Sequence, residues 1–530
     1  MEKVPTKEQE NIINCTGNCV VTAKPGSGKT YTVVKMIDKI ANSLPDYKGV
    51  IAISFTNKAS DELKKRCRTM GIPSAQSFYG TIDKFYITQI IIPFASHLTN
   101  NLPDYQVCEN ISDDATYGDL INLSLTPTPS QEDLLIAALR EGKIFLEKSG
   151  ETAMFILRTV PAAIKYIKAK YSHIFVDEYQ DCGDVQHKIF LYLVGAGLTG
   201  VAVGDINQAI YGFAKRFPKY LIDLIGNKDF EHYELSKNHR CHPGISEYSL
   251  ALFGASKEIP EEKRVFLVRV SGNEPEIAKR IDSNLKMIKE KYNVRHNNQI
   301  AILCRSNSTA QILDRVLQTK HKNYVETSLD NDSSEWGRLF KDILVAQFTP
   351  STYAVDFAEQ LFSEETEGEK YRKALSLLHG IFSRTPEDLL TVEDAYIALA
   401  EMVYPKKRNE AAVAKLHNVL SSADLIHSYI PAAENEVNIM TIHKSKGLEF
   451  NIVFHMDMYK YILSDEWDKK EDIEQMLNLH YVGVTRAIDV CYIMNGSLRY
   501  RAKYNDYYSA YPSSFLALPG LTERRRDVCW

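Results

Sequence analysis

The segment Ala23-Lys24-Pro25-Gly26-Ser27-Gly28-Lys29-Thr30 sets two glycines, a lysine and a hydroxyl in the order that a phosphate chain requires. Gly26 and Gly28 let the loop bend so that its amides face phosphate oxygens, Lys29 reaches the outer phosphates, and the Thr30 hydroxyl can hold Mg²⁺. Ala23 stands where such loops usually begin with glycine. A nucleotide-bound Mg²⁺ must also be held from the far side, and a water must be oriented for in-line attack. Ile174-Phe-Val-Asp-Glu178 supplies that pair: Asp177 for the metal, directly or through water, and Glu178 for the attacking water. Taken apart, the two segments are a glycine turn and a pair of solvated acids at a strand end. Taken together they predict an ATP site with Mg²⁺ as cofactor.

Such a site needs a strand before the loop and a helix after it, and the sequence provides both. Thr6-Lys-Glu-Gln9 has the form of a capping box opening a short helix, and Asn18-Cys-Val-Val-Thr-Ala23 reads as a buried strand. Beyond Thr30, Val33, Val34, Ile37 and Ile40 recur at helical spacing. Further apolar runs at 50–55, 173–176, 198–203, 299–303 and 451–454 alternate with helical patterns, which argues for parallel α/β sheets. Two long stretches, about 86–168 and 331–433, break the alternation and read as helical insertions, the second with cap signals at Thr385-Pro-Glu-Asp388 and Thr391-Val-Glu-Asp394.

Asp177-Glu-Tyr-Gln-Asp181 resembles the Walker B segment of the UvrD, PcrA and Rep helicases, and further segments follow in that family's order. Ile53-Ser-Phe-Thr-Asn-Lys-Ala59 looks like motif Ia, Gly80-Thr81 like motif Ib, and Gly204-Asp-Ile-Asn-Gln-Ala-Ile-Tyr211 like motif III. Asn238-His-Arg240 resembles the arginine-finger motif, and 301–307 a characteristic strand of the second motor domain. Residues 440–450 and 481–487 resemble motifs V and VI. The resemblance implies two RecA-like parallel-sheet motor domains of the P-loop NTPase class with two mainly helical insertions. It divides the chain into 1–85 and 169–255 (first motor), 86–168 (first insertion), 256–330 and 434–530 (second motor) and 331–433 (compact second insertion). It also implies superfamily 1A activity, moving 3′ to 5′ on single-stranded DNA.

Roles follow residue by residue. Arg240 and Arg486 would neutralise charge on the γ-phosphate and Gln208 would sense it. Gln9 would read the adenine edge and Glu449 would contact the nucleotide from the second domain, although Gln9 closes the capping box and has that simpler use as well. Phe55, Tyr211 and Phe213 occupy base-stacking positions, and Thr81 and His443 positions that touch the DNA backbone. Core packing for the aromatics and ordinary loop duty for the other two are the competing uses.

Several positions depart from the family. Relatives sandwich adenine between an arginine after the loop and a tyrosine beside the arginine finger, whereas this chain has Tyr31 and His239. Phe213 and Ala214 replace tryptophan and arginine, with basic residues displaced to Lys215 and Arg216. Leu477 and Asn478 replace paired arginines, and Asp83 stands at a histidine position. The shortened second insertion is similar to that of the helicase-like subunits of Gabija antiphage systems, which implies a partner nuclease (GajA-like) in a hetero-oligomer. A rival expectation is therefore a regulatory ATPase that senses DNA ends and switches that nuclease with little unwinding of its own.

Composition agrees with a multidomain globular chain: 530 residues exceed what one core holds, and 44% hydrophobic with 25% charged residues is ordinary for folded proteins. The net charge of -5 neither supports nor excludes DNA binding, because only the local field along a groove matters. The N-terminus lacks the apolar stretch of a signal peptide and no run is long enough for a membrane span, so a cytoplasmic location and no membrane partner are expected. The nine cysteines show no zinc-site spacing. Tyr31→Ala is expected to weaken ATP affinity roughly 3- to 10-fold and to shift base preference, as an aromatic stacking contribution of about 1 kcal/mol implies; equal ATP and GTP affinities in variant and wild type would contradict it.

Overall fold

The computed structural model describes residues 4–55, 57–72, 76–108, 110–208, 218–256, 258–330, 332, 334–350, 352–362, 367–405, 408–463, 469–501 and 506–530. Two wholly parallel sheets organise them. The first runs in the order 78–81, 49–54, 171–176, 199–204, 19–23, 231–235. The second runs 321–323, 437–441, 300–304, 450–455, 487–496, 265–270, 525–529. Strands such as Gly49–Ser54 and Ile300–Cys304 are buried along their whole length, which is why they read as continuous apolar runs rather than alternating ones. The mixed α/β architecture with two parallel sheets is that of two RecA-like domains.

The helix and loop that the sequence places around the phosphate site are present. Thr6 and Gln9 form a complete capping box on helix Lys7–Ile13, strand Cys19–Ala23 follows, and helix Lys29–Ala41 buries Val33, Val34 and Ile37. Ala23 is the last residue of its strand, paired with Leu235, so a β-carbon costs nothing at this extended position.

The two insertions are built differently. The 82–170 region is helical with a two-stranded parallel ribbon, Gln106–Cys108 against Lys143–Phe145, and a π-helical stretch at Tyr86–Ile91. Its apolar side chains, including Tyr86, Leu135 and Ile156, merge with one face of the first sheet into a single core. Asp83 joins this packing by accepting a hydrogen bond from Ser149 Oγ at 2.9 Å. The second insertion has a core of its own, from Leu329 to Tyr429. Its helices include Glu335–Phe348, Gly368–Phe382 and Glu410–Leu420. The two cap signals expected there act otherwise: Thr385 opens a 3-10 segment, Pro386–Val392, and the helix Glu393–Val403 starts after Val392, with Thr391 bonding back to Asp388 O. A 3-10 turn uses up the first proline-led signal before the α-helix begins.

The chain segments entering and leaving the second insertion are tied together and to the second sheet. Val325 N donates to Ser428 Oγ (3.2 Å), Ala432 N to Tyr324 OH (3.0 Å), and Lys444 Nζ to Val325 O (2.7 Å). Asp330 lies between Lys341 (3.0 Å) and Lys444 (3.5 Å). The stretch from Cys241 to Leu252 packs its apolar side chains into the second core, against Tyr481 and Val484.

At one end of the second sheet Arg499 is buried between Glu274 (3.1 Å from Nε) and Asp457 (2.9 Å from Nη1). Asp457 also accepts from Arg305 N (2.8 Å) and Thr309 Oγ1 (3.0 Å). The guanidinium thus joins four separate chain segments. Removing it leaves two buried carboxylates without their cation, so Arg499→Ala is expected to destabilise the protein by about 3–5 kcal/mol, read as a lower midpoint in urea unfolding, with Arg499→Lys recovering part of the loss.

Candidate nucleotide site and its relatives

A cavity of about 1340 Å³ lies between the two sheets. Of the residues expected at the nucleotide, Gln9, Ala23, Lys24, Pro25, Gly26, Gly28, Lys29, Thr30, Tyr31, Asp177, Glu178, Gln208, His239, Arg240, Glu449 and Arg486 all line it. Ser27 does not, and is buried behind the loop.

The loop conformation follows from its glycines. Gly26 and Gly28 have φ of +70° and +82°, which only glycine adopts without strain. A β-carbon on Gly26 would meet Arg240 Cβ at 2.5 Å, and one on Gly28 would meet Gln9 Nε2 at 2.5 Å. The loop is therefore pressed between the arginine-finger segment and the first helix. Gln9 closes the capping box, its Oε1 accepting from Thr6 N (2.9 Å), and its Nε2 donates to Ser27 O (3.2 Å) in the loop.

Lys29 points at the carboxylates, 2.5 Å from Glu178 and 3.6 Å from Asp177. Burial disfavours its charge, but Glu178 and Asp177 outweigh that and raise its pKa. Burial likewise pushes the Glu178 carboxyl up, yet the Lys29 and Lys446 ammoniums overcome it and hold the group down at about 2. Asp177 is pushed up by burial against the opposing pull of Lys29. Glu178 adopts a left-handed backbone, φ +57°, uncommon for a residue with a β-carbon, and its N–H donates to Asp177 Oδ1 at 2.9 Å. That local bond turns Glu178 out of the strand direction and toward the lysine.

Two arginines, Arg240 beyond the last strand of the first sheet and Arg486 in the second half, close the cavity. Arg240 pairs with Glu449 at 2.6 Å, and Asn238 Oδ1 accepts from Arg240 N (2.7 Å) and Cys241 N (2.8 Å), fixing the turn. His239 N donates to Gly26 O at 2.8 Å and His242 N to Ile488 O at 2.7 Å, so residues 238–242 strap the phosphate loop to the segment after Arg486. Arg486 is buried, donating from Nη1 to Leu448 O (3.2 Å) and from Nε to Val482 O (3.3 Å). Burial, and then the neighbouring Arg240, lower its pKa to about 10, which leaves it cationic at neutral pH.

Sequence reasoning missed several wall residues. Lys446 reaches across to Asp181 at 2.7 Å, and Glu62 and Arg66, paired at 2.6 Å, come from helix Asn57–Thr69. Asp181 and Lys446 lie inside motifs already recognised, so their charge within those motifs was the available signal. The residues expected at DNA come together only in part: Phe55 and Thr81 stand side by side at the ends of paired strands, Ser54 facing Thr81, whereas His443 lies elsewhere. Phe55 packs partly buried against the first core, Thr81 caps the short helix Ile82–Phe85, and His443 is on the nucleotide-cavity wall. Tyr211 and Phe213, with Ala214, Lys215 and Arg216, lie outside the described residues.

The donors suit a nucleotide-bound Mg²⁺. Among the described residues no cluster of three or more His, Cys, Asp or Glu could cage a metal. A hydroxyl, Thr30, and one buried carboxylate, Asp177, are the hard oxygens expected when substrate phosphates and water complete the shell.

Two family models match the chain: an AAA domain over residues 9–214 and a UvrD-like helicase C-terminal domain over 353–495. The chain is similar to the UvrD-like helicases. Among curated proteins, this UvrD-like chain is 26% identical to Gabija protein GajB of Bacillus cereus (strain VD045), over 94% of its own length and 96% of that protein. It is 21% identical to the ATP-dependent DNA helicase PcrA of Staphylococcus epidermidis over 97% of this chain and 86% of PcrA, and 20% identical to the Staphylococcus aureus PcrA. No described helix is long and apolar enough to cross a membrane.

In Glu178→Gln the amide keeps the size of the side chain but cannot accept a proton. ATP is expected to bind with little change while hydrolysis falls by about 10²- to 10⁴-fold, measured as fluorescent-nucleotide affinity against phosphate release.

Proposed function

We propose that this chain hydrolyses ATP in the cavity between its two sheets and uses the turnover to move 3′ to 5′ on single-stranded DNA as a superfamily 1A helicase or translocase. The observation that carries this reading is the convergence of Lys29, Arg240 and Arg486, drawn from both halves of the chain, on one cavity that also holds Asp177 and Glu178. Lys29 and the loop amides hold the phosphates, and Glu178 accepts a proton from the attacking water. Arg240 and Arg486 stabilise charge that develops on the transferred group, an effect worth on the order of 10³ to 10⁵ in rate for an arginine finger. Thr30 and Asp177 would hold Mg²⁺, which would supply charge neutralisation at the phosphates. On this reading segments 1–85 with 169–255 and 256–330 with 434–530 are the motors, 86–168 and 331–433 the insertions, and residues 241–252 ride on the second motor. Phe55, Thr81, Tyr211, Phe213 and His443 contact the strand.

The near end-to-end similarity to GajB supports a place in an antiviral defence complex of the Gabija type, in the cytoplasm and beside a partner nuclease. The same similarity, with the ionic ties that join the second insertion to Lys444, favours a second reading: an ATPase that senses DNA ends and activates the nuclease.

The full chain is expected to show ATPase activity that rises several-fold with single-stranded DNA and vanishes in Lys29→Ala. Strand displacement from 3′-tailed but not 5′-tailed duplexes supports the motor reading. Weak displacement with either tail, together with DNA-dependent activation of a co-purified nuclease, selects the second. Hydrolysis that persists in Lys29→Ala would refute both.

A further inference from the structure

The polar contacts that begin at Glu178 continue beyond the first sheet. Gln180, fully buried, donates from Nε2 to Glu178 and accepts at Oε1 from Asp205 N at 3.0 Å. Asp205 is a junction. Its Oδ1 accepts from Asn207 N (3.0 Å), and its Oδ2 accepts both Gln208 Nε2 (2.9 Å) and the Tyr481 hydroxyl (3.3 Å). Tyr481 belongs to the other half of the molecule. It sits in helix Lys470–Thr485, whose C-terminal end delivers Arg486, and its buried ring meets Phe253 edge-on at 5.2 Å within the second core.

Neither Asp205 nor Tyr481 lines the nucleotide cavity, so neither is placed to touch reacting atoms. Both are buried, and a buried hydroxyl or carboxylate that loses its partner retains the full desolvation penalty. The Tyr481 bond to Asp205 is therefore favoured in one relative placement of helix Lys470–Thr485 and the first sheet. Gln208 and Tyr481 share a single oxygen, so a Gln208 side chain drawn toward a phosphate leaves that oxygen to Tyr481 alone and strengthens its hold there. Burial pushes the Asp205 carboxyl up to about 6, against the Asn207 amide and Lys29, which leaves it an ionised acceptor at neutral pH.

We propose that Asp205 is a positioning residue that links the Gln208 side chain to the Tyr481 hydroxyl, so that the state of the nucleotide site sets the placement of the helix bearing Arg486. The inference rests on the ATPase reading above and adds to it a named path between the phosphate sensor and the second-domain arginine.

The test is Tyr481→Phe in the full chain, which removes one oxygen and keeps the ring. ATP affinity is expected to stay within about twofold, while kcat at saturating single-stranded DNA falls about 10-fold and the ratio of DNA-stimulated to basal turnover drops toward one. Asp205→Asn is expected to lower kcat similarly. In a Gln208→Ala background Tyr481→Phe should cost much less than it does alone, because the two groups act through one carboxylate. A thermal melt separates this from loss of fold. Wild-type kcat and DNA stimulation in Tyr481→Phe, or strictly additive effects of the two substitutions, would overturn the link while leaving the ATPase reading intact. A wild-type chain with no Lys29-dependent hydrolysis would overturn both.

Discussion

A lysine ammonium enclosed beside two carboxylates dictates much of this molecule. Lys29 can be buried only because Glu178 and Asp177 neutralise it, and the carboxylates can be buried only because Lys29 does the same for them. The strand order makes that pairing possible: 171–176, which ends at the acids, and 19–23, which ends at the loop, flank 199–204, whose end supplies Asp205 and Gln208. It also explains the backbone at Glu178, where a left-handed conformation turns the side chain toward the lysine. The Lys29 and Lys446 ammoniums hold the Glu178 carboxyl below the usual carboxylate range, so the same ion pair that lets these groups be buried also weakens Glu178 as a proton acceptor.

The second constraint is that a site closed from outside must be tethered across the gap. Residues 238–242 do this with short backbone bonds, His239 N to Gly26 O on one side and His242 N to Ile488 O on the other. Because Gly26 is packed against Arg240 Cβ and Asn238, the glycine is required by its neighbours as well as by its own φ. Arg240 and the glycine loop therefore share one local structure although more than 200 residues separate Gly26 from Arg240 in sequence.

Much of this was legible in the sequence. Strand runs such as 173–176 and the helix after Thr30 follow from apolar spacing, and the capping box at Thr6 and Gln9 is a short-range pattern that needs no tertiary information. The acids and arginines of the site were legible because they lie in ordered motifs. The Asp205 to Tyr481 contact was not, since it depends on which rotamers meet across the gap between sheets. Nor was the second-sheet strand Arg525–Cys529, which is rich in charge and holds its place through pairing with 265–270 and the burial of Arg525 rather than through apolar pattern. The cap at Thr391 was misplaced because a threonine before two acids looks the same whether its hydroxyl bonds forward into a helix or back to Asp388 O.

The distribution of polar and apolar contacts says where this molecule can move. Inside each half the sheets are held by continuous apolar cores, and the first insertion shares one of them with the first sheet, so separating it would expose core side chains such as Tyr86, Ile156 and Phe190. Between the halves, around the cavity, the side-chain contacts named above are ionic or hydroxyl bonds: Lys446 to Asp181, Arg240 to Glu449, Tyr481 to Asp205. Such bonds can be exchanged for water or for a phosphate, whereas an opened apolar core has no substitute partner. A domain interface of this kind favours relative motion. Arg240, one of the charges that would bind nucleotide, is thus also one that joins the two halves, so a phosphate that drew it from Glu449 would loosen a tie between them.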